Sequence, residues 1–186
     1  MHLTDSHSET HFKDMSLLHA LGWRTAYQGY IPDSFLSGSI TDDRWVPVFR
    51  QNYEEGIYRG LLLYDRDRPL CCATYGPARV DHTAGDTICK FSSPDLADWG
   101  ELVSLYAHPD HWGQGYGSAV MEEALRRLNL EGYPGCFLYV LRENDRARRF
   151  YEKHGFAWDG HSLEVTLTPE TTLTDFRYRK TFPSTP

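Results

Sequence analysis

From Glu101 to Leu141 the chain runs through a strand-like stretch (Glu101 to His108), a loop (Pro109 to Gly117), an amphipathic helical segment (Ser118 to Leu130) and a buried-looking apolar run (Cys136 to Leu141). Strand, loop, helix, strand is a right-handed βαβ crossover, and it requires two neighbouring parallel strands. An α/β or mixed-sheet architecture follows.

The flanking segments extend this plan. A first helix is predicted from about Asp14 to Tyr27, where Leu17, Leu18, Ala20 and Leu21 give an apolar stripe before Gly29 and Pro32. A second is predicted around Asp42 to Asn52, with Trp45, Val48 and Phe49 on one face behind Thr41 and Asp42 as cap signals. Tyr58 to Tyr64 and Leu70 to Tyr75 read as a hairpin turned at Asp65-Arg66-Asp67-Arg68. Ala78 to Trp99, which includes Gly85 and Asp86, reads as strand continuation and loop. Asn144 opens a further helix that Gly155 closes after His154. Ser162 to Leu167 and Phe176 to Phe182 suggest two antiparallel strands.

Size and composition narrow the function classes. At 186 residues, with 40% hydrophobic and 24% charged residues, the chain fits one domain spanning 1–186. Its 19 basic against 26 acidic residues, a formal charge of −7, argue against a broad nucleic-acid surface. The longest apolar run, Cys136 to Leu141, falls far short of the roughly 20 residues of a membrane span, and Met1 to Asp14 has no apolar signal core. A cytoplasmic protein without membrane or nucleic-acid partners is expected. Cys71, Cys72, Cys89 and Cys136 form no CxxC pair and read as small buried hydrophobes.

The loop Trp112-Gly113-Gln114-Gly115-Tyr116-Gly117-Ser118 places glycine at three alternate positions between strand and helix. Glycine permits positive φ and close ligand approach, and the helix that follows presents unpaired N–H groups at its positive dipole end. Such a loop suits a pyrophosphate, although a tight turn needs glycine too. The dinucleotide fingerprint fails because position 118 is serine, and the P-loop fails because the segment holds no lysine.

Three segments in order and at matching spacing, Glu101 to Pro109, Trp112 to Ser118, and Asn144 to Phe156, together resemble the GNAT superfamily of N-acetyltransferases. Gly22 to Asp33 resembles the family's acceptor-side helix and loop, and Arg177-Tyr178-Arg179 its closing strand. The resemblance implies a GNAT-like acyl-CoA N-acyltransferase fold: a central, splayed, mixed β-sheet flanked by helices. It also implies acetyl-CoA as cosubstrate, with its pantetheine arm on the backbone of Leu105, Tyr106 and Ala107. Trp112, Gly113, Gln114, Gly115, Tyr116, Gly117 and Ser118 would hold the pyrophosphate. Two departures are visible. Trp112 stands where the family loop usually begins with Gln or Arg, so a side-chain contact to phosphate is lost or replaced. Met1 to His11 does not read as a first strand, which is expected to be short or absent.

Acetyl transfer from a thioester to an amine needs an unprotonated amine and an acid near the departing thiolate. A lysine-like amine with pKa about 10.4 is neutral in only roughly one molecule in 10³ at pH 7. Glu101 matches the family position of a base acting through water, or it is a solvated strand-end glutamate. Tyr151 matches the tyrosine placed beside the cofactor sulfur, or it packs on an apolar helix face with Ala147 and Phe150. Full proton transfer from phenol to thiolate is uphill by about 2 kcal/mol, so a hydrogen bond to the developing thiolate is the expected role. Asn144 reads as a helix cap and, by the resemblance, as a contact to the pantetheine or thioester region. Arg146, Arg148 and Arg149 form a basic patch suited to CoA phosphates or a solvated face, with Arg146 and Arg149 taken as the binding pair.

Trp23, Tyr27 and Tyr30 cluster with Trp45 where the resemblance puts the acceptor, as pocket walls or as core. His7 with His11 and His108 with His111 lack further ligands at zinc-like spacing, so no metal is expected. The reading is an N-acetyltransferase acting on a small-molecule primary amine by direct transfer. Protein or peptide N-acetylation, a non-catalytic CoA-binding module and a nucleotide-binding fold are its rivals. The sequence leaves oligomeric state open, a homodimer included.

Overall fold

Ser8 starts the first helix. Its hydroxyl accepts the N–H of His11 at 3.3 Å, and α1 runs Glu9–Ala26, burying Phe12, Met15, Leu18 and Trp23. The apolar stripe predicted a start near Asp14. The earlier start comes from this cap, which satisfies an orphan donor of the first turn. The computed structural model describes residues 1–80 and 91–183. Gly85, Asp86 and Cys89 lie outside the described residues.

The residues fall into two compact units, Met1–Gly76 with Ser104–Arg126, and Pro77–Val103 with Arg127–Pro186. In the first unit, β1 (His2–Asp5) pairs antiparallel with β2 (Arg59–Asp65), from His2↔Tyr64 to Asp5↔Leu61. This short strand has no apolar alternation. Pairing with the Leu-rich β2 makes it a strand, a signal that local sequence does not contain. β2 and β3 (Arg68–Pro77) form the expected hairpin, with Asp65 paired to Arg68 and Arg66 at φ 55° in the turn.

Two helices differ from expectation. Pro32 does not merely follow the end of α1; it caps α2 (Asp33–Ser39), where the N–H that proline lacks would have no partner within the helix. The next helix, α3 (Val46–Glu55), begins beyond Thr41 and Asp42, with Pro47 in its first turn and Gly56 at φ 67° closing it. Thr41 and Asp42 belong to a turn in which the Arg44 N–H bonds the Thr41 carbonyl at 3.2 Å.

The second unit carries the parallel pair. β4 (Gly100–Ala107), which begins in this unit and ends in the first, pairs in parallel with β5 (Gly135–Leu141) at Gly100↔Cys136 and Glu101↔Phe137 only. On its other edge β5 pairs along its whole length with β7 (Thr171–Thr181), which pairs antiparallel with β6 (Ala157–Thr168). The strand order is β1-β2-β3-β4-β5-β7-β6. The crossover between β4 and β5 is α4 (Tyr116–Leu130), and α5 (Asp145–Lys153) follows β5. Gly100 and Gly135 are small for packing reasons: a Cβ on either would sit 2.9 Å from Leu128 or 2.4 Å from Trp99.

Candidate active site

The C-terminal half of β4 leads directly into the glycine loop. Pro109–His111 makes a single 3-10 turn, and Gly113 and Gly115 then take φ of 79° and 85°. L side chains rarely adopt that left-handed backbone, so these two glycines are there for conformation. Gly117 is different, lying inside the first turn of α4. The Ala119 N–H reaches the Gly115 carbonyl at 3.1 Å, and the N–H groups of Tyr116, Gly117 and Ser118 precede that first helical bond. They sit at the positive end of the α4 dipole, a suitable arrangement for an anion.

Trp112 turns away from any anion-binding duty for its side chain. Its indole N–H donates to the Ala107 carbonyl at 2.9 Å, tying the loop back onto β4. The His108 N–H is likewise bonded to the Leu70 carbonyl at 2.8 Å. These bonds hold the end of β4 straight up to the loop.

On α5 the Asn144 side chain accepts the Ala147 N–H at 3.0 Å, and Gly155 follows the helix at φ 83°. Tyr151 is buried, 9% exposed, with its ring against Phe150 and Phe156 at centroid distances of 5.4 and 6.0 Å. Among the three arginines, Arg148 is bonded to the Tyr178 hydroxyl at 3.2 Å, the Arg142 carbonyl at 3.0 Å and Asp145 at 3.2 Å. Arg146 and Arg149 are exposed.

Glu101 is not a solvated strand-end residue. It is 1% exposed, and Arg79 meets both its oxygens: the guanidinium Nε donates at 3.0 Å to Oε1 and the backbone N–H at 3.0 Å to Oε2. A base needs a lone pair directed at the proton it takes, and Arg79 makes two contacts to each oxygen, Nε and Nη2 to Oε1 and Nε and the backbone N–H to Oε2. The group to which the resemblance assigns the base role is thus a buried carboxylate paired with Arg79. The sequence analysis missed Arg79, because its partner lies across the sheet and no local pattern links the two.

The aromatic cluster divides. Trp23 and Trp45 are core residues, 6% and 4% exposed, 5.7 Å apart. Tyr27 stacks on Trp23 at 4.5 Å and is half-buried, whereas Tyr30 is 46% exposed. Beneath them lies a pair the sequence analysis overlooked, His19 on α1 and Ser104 on β4, with Nε2 and Oγ 3.0 Å apart. Its only sequence signal was His19 falling on the buried face of α1, four residues after Met15. Cys71, Cys72 and Cys136 are buried free thiols whose pKa burial pushes up, which disfavours the thiolate. Among the described residues no group of three or more His, Cys, Asp or Glu is placed to hold a metal ion. Nor is any helix among them long and apolar enough to cross a membrane.

Among the described residues, the mixed sheet, its short parallel ladder and the glycine loop that opens α4 give the arrangement that the resemblance to the GNAT superfamily implies. Comparison with known proteins agrees: residues 23–156 match the model of the acetyltransferase (GNAT) family. An uncharacterized N-acetyltransferase of Archaeoglobus fulgidus is 33% identical over 102 residues, covering 55% of this chain and 68% of that protein. A mycothiol acetyltransferase of Beutenbergia cavernae is 43% identical over 63 residues, 34% of this chain but only 21% of its own length. The crystal structure of a PaiA N-acetyltransferase from Thermoplasma acidophilum in complex with coenzyme A superposes with a TM-score of 0.68. It is 17% identical, with 98% of this chain and 100% of that one covered. The chain belongs to the acetyltransferase (GNAT) family and is an acetyl-CoA-dependent N-acetyltransferase.

Proposed function

We propose that the protein moves the acetyl group of acetyl-CoA directly to a small-molecule primary amine. The observation that carries this reading is the loop from Trp112 to Gly115, whose two left-handed glycines deliver the amides of Tyr116, Gly117 and Ser118 at the start of α4. A diphosphate bound there leaves the pantetheine arm to run along the main chain of Leu105, Tyr106 and Ala107, as one extended chain beside another. Arg146 and Arg149, exposed on α5, are the side chains assigned to CoA phosphate.

In this reading the neutral amine attacks the thioester carbonyl, negative charge builds on the carbonyl oxygen, the C–S bond breaks to release the CoA thiolate, and the proton lost from the amine nitrogen passes directly or through water to that thiolate, giving amide and free CoA thiol. Tyr151 is assigned the hydrogen bond to that sulfur, and Asn144, while capping α5, the contact to the thioester end of the arm. Glu101 is assigned to holding Arg79 and with it the chain leaving β3. Tyr27 and the exposed Tyr30 are the aromatic faces offered to the acceptor, and Trp23 supports Tyr27 from the core. Similarity to a mycothiol acetyltransferase supports a small-molecule acceptor.

The test is a panel of small amines and peptides with acetyl-CoA, read by release of free thiol, beside calorimetric titration with CoA. Turnover with a small amine and saturable CoA binding are expected. Turnover restricted to peptide amino termini would replace the acceptor assignment, and absence of binding at millimolar CoA would overturn the reading.

A further inference from the structure

His19 is 5% exposed, and its two ring nitrogens have different partners. Nδ1 lies 2.9 Å from the Met15 carbonyl one turn earlier on α1. A carbonyl oxygen can only accept, so in the neutral ring Nδ1 carries the hydrogen and Nε2 presents a lone pair. Nε2 is 3.0 Å from Ser104 Oγ, and the hydroxyl therefore has to donate its proton to His19.

The Met15 carbonyl favours a second proton on the ring, but burial opposes it more strongly. The ring's other neighbours are Trp45 at 5.5 Å and Phe49 at 4.9 Å from the α3 side, Tyr106 of β4 at 4.4 Å, and the Cys72 thiol of β3 at 3.6 Å. None carries charge at neutral pH. Burial lowers the His19 pKa to about 4, so the imidazole stays neutral across the physiological range.

The consequence falls on Ser104. A serine hydroxyl ordinarily both donates and accepts, but here its proton is committed and only its oxygen lone pairs remain. The residue is half-buried, and its side chain stands out of the sheet on the face that α1 covers, the helix that also carries Trp23 and Tyr27. Main-chain pairing with an extended arm takes place in the plane of the sheet, so this oxygen is directed away from such an arm.

We propose that Ser104 Oγ seats the acceptor amine, with His19 as the positioning residue that fixes the direction of its hydrogen bond. A freely turning hydroxyl would donate to the lone pair of a neutral amine and mask the nucleophile. Held by His19, Ser104 can only accept an amine N–H, and the nitrogen lone pair stays available for the thioester carbon. The ligand class is a primary amine, which offers Ser104 an N–H. This inference rests on the acetyl-transfer reading above and adds to it the group that orients the nucleophile.

The experiment compares wild type with Ser104→Ala and Ser104→Thr, using the amine that turns over best in the panel. Ser104→Ala is expected to raise the amine KM and lower kcat/KM by about tenfold or more, the loss of one hydrogen bond to the substrate. CoA affinity by calorimetry should stay at the wild-type value, the melting temperature should fall because Nε2 of the buried His19 loses its donor, and Ser104→Thr, which keeps the hydroxyl, should recover the melting temperature and most of the activity. His19→Phe, which frees the hydroxyl to donate, should lower kcat/KM in the same direction without changing CoA affinity. The proposal is overturned if Ser104→Ala leaves the amine KM and kcat within twofold. It is also overturned if the loss falls on CoA affinity, or if Ser104→Thr is as impaired as Ser104→Ala. A wild-type protein that neither binds CoA nor turns over would instead sink the acetyl-transfer reading, before any change at Ser104 is measured.

Discussion

A Cβ placed on Gly22 of α1 would lie 2.2 Å from Cδ1 of Tyr106 on β4. The helix approaches the strand this closely because residue 22 has no side chain, and the tyrosine ring fills the vacated space. His19, one turn earlier, touches the same ring from its own side at 4.4 Å. The face of β4 beside the glycine loop is thus set by α1. Gly22→Ala is expected to destabilise the fold by about 1–2 kcal/mol, because overpacking outweighs the roughly 1 kcal/mol that alanine contributes to a helix interior. Urea denaturation checks this, and equal or greater stability would contradict it.

Gly115, at φ 85°, has no heavy atom within 4 Å of an added Cβ, so a substitution there meets strain without a clash. Gly115→Ala should cost about 1–2 kcal/mol in the loop conformation. If the loop relaxes, the α4 amides lose their aim, and CoA should bind about tenfold more weakly, the equivalent of about 1.4 kcal/mol. Calorimetric titration reads the change, which should greatly exceed any change in amine KM.

Tyr151→Phe keeps the ring between Phe150 and Phe156 and removes only the hydroxyl. A hydrogen bond to a charged leaving group is worth about 1.5–3 kcal/mol, so kcat should fall by roughly 10- to 100-fold with CoA affinity kept. An unchanged kcat in steady-state assays would return Tyr151 to a packing role.

Arg79 and Glu101 form an ion pair with side chains 14% and 1% exposed. Arg79→Ala strands a buried carboxylate and should destabilise the protein by about 3–5 kcal/mol. Adding Glu101→Gln to that variant should recover part of the loss, because the charge that lacked a partner is gone. A double-mutant cycle in urea measures the coupling, and strict additivity would argue against the pair.

Asp175 on β7 is 8% exposed, and its pKa is pushed up to about 7, chiefly by burial and further by Glu143 and Glu164, with Arg79 opposing. The unfolded carboxyl titrates near its usual value of 3.8, so between about pH 4 and 7 the folded protein holds a proton that the unfolded chain has released. Stability from this group is complete below that window and is lost as pH rises through it. Asp175→Asn should flatten the slope of unfolding free energy across pH 4–7. An unchanged slope in pH-dependent denaturation would refute the assignment.

Features that depend on a few consecutive residues were legible before any coordinates. Asn144 as a cap, Gly155 after α5, the hairpin around Arg66, the helix after the glycine loop and the antiparallel tail were all read in advance. Each is governed by local backbone sterics or by one hydrogen bond within a turn. Where a local signal misled, a tertiary contact or a neighbouring cap had prevailed. Thr41 and Asp42 looked like a helix cap yet sit in a turn ahead of Pro47, and β1 became a strand only against Leu61 to Tyr64.

The amino-acid sequence by itself determined the family, the crossover and the backbone of the glycine loop, because glycine placement and helix capping act over distances of one turn. The tertiary structure alone decided which polar groups face one another. Glu101 met Arg79 instead of solvent, Trp112 met the Ala107 carbonyl, and His19 met Ser104 from 85 positions away. Burial removes water as a partner, so each of these groups must find another inside the protein, and which one it finds depends on how helices and strands pack.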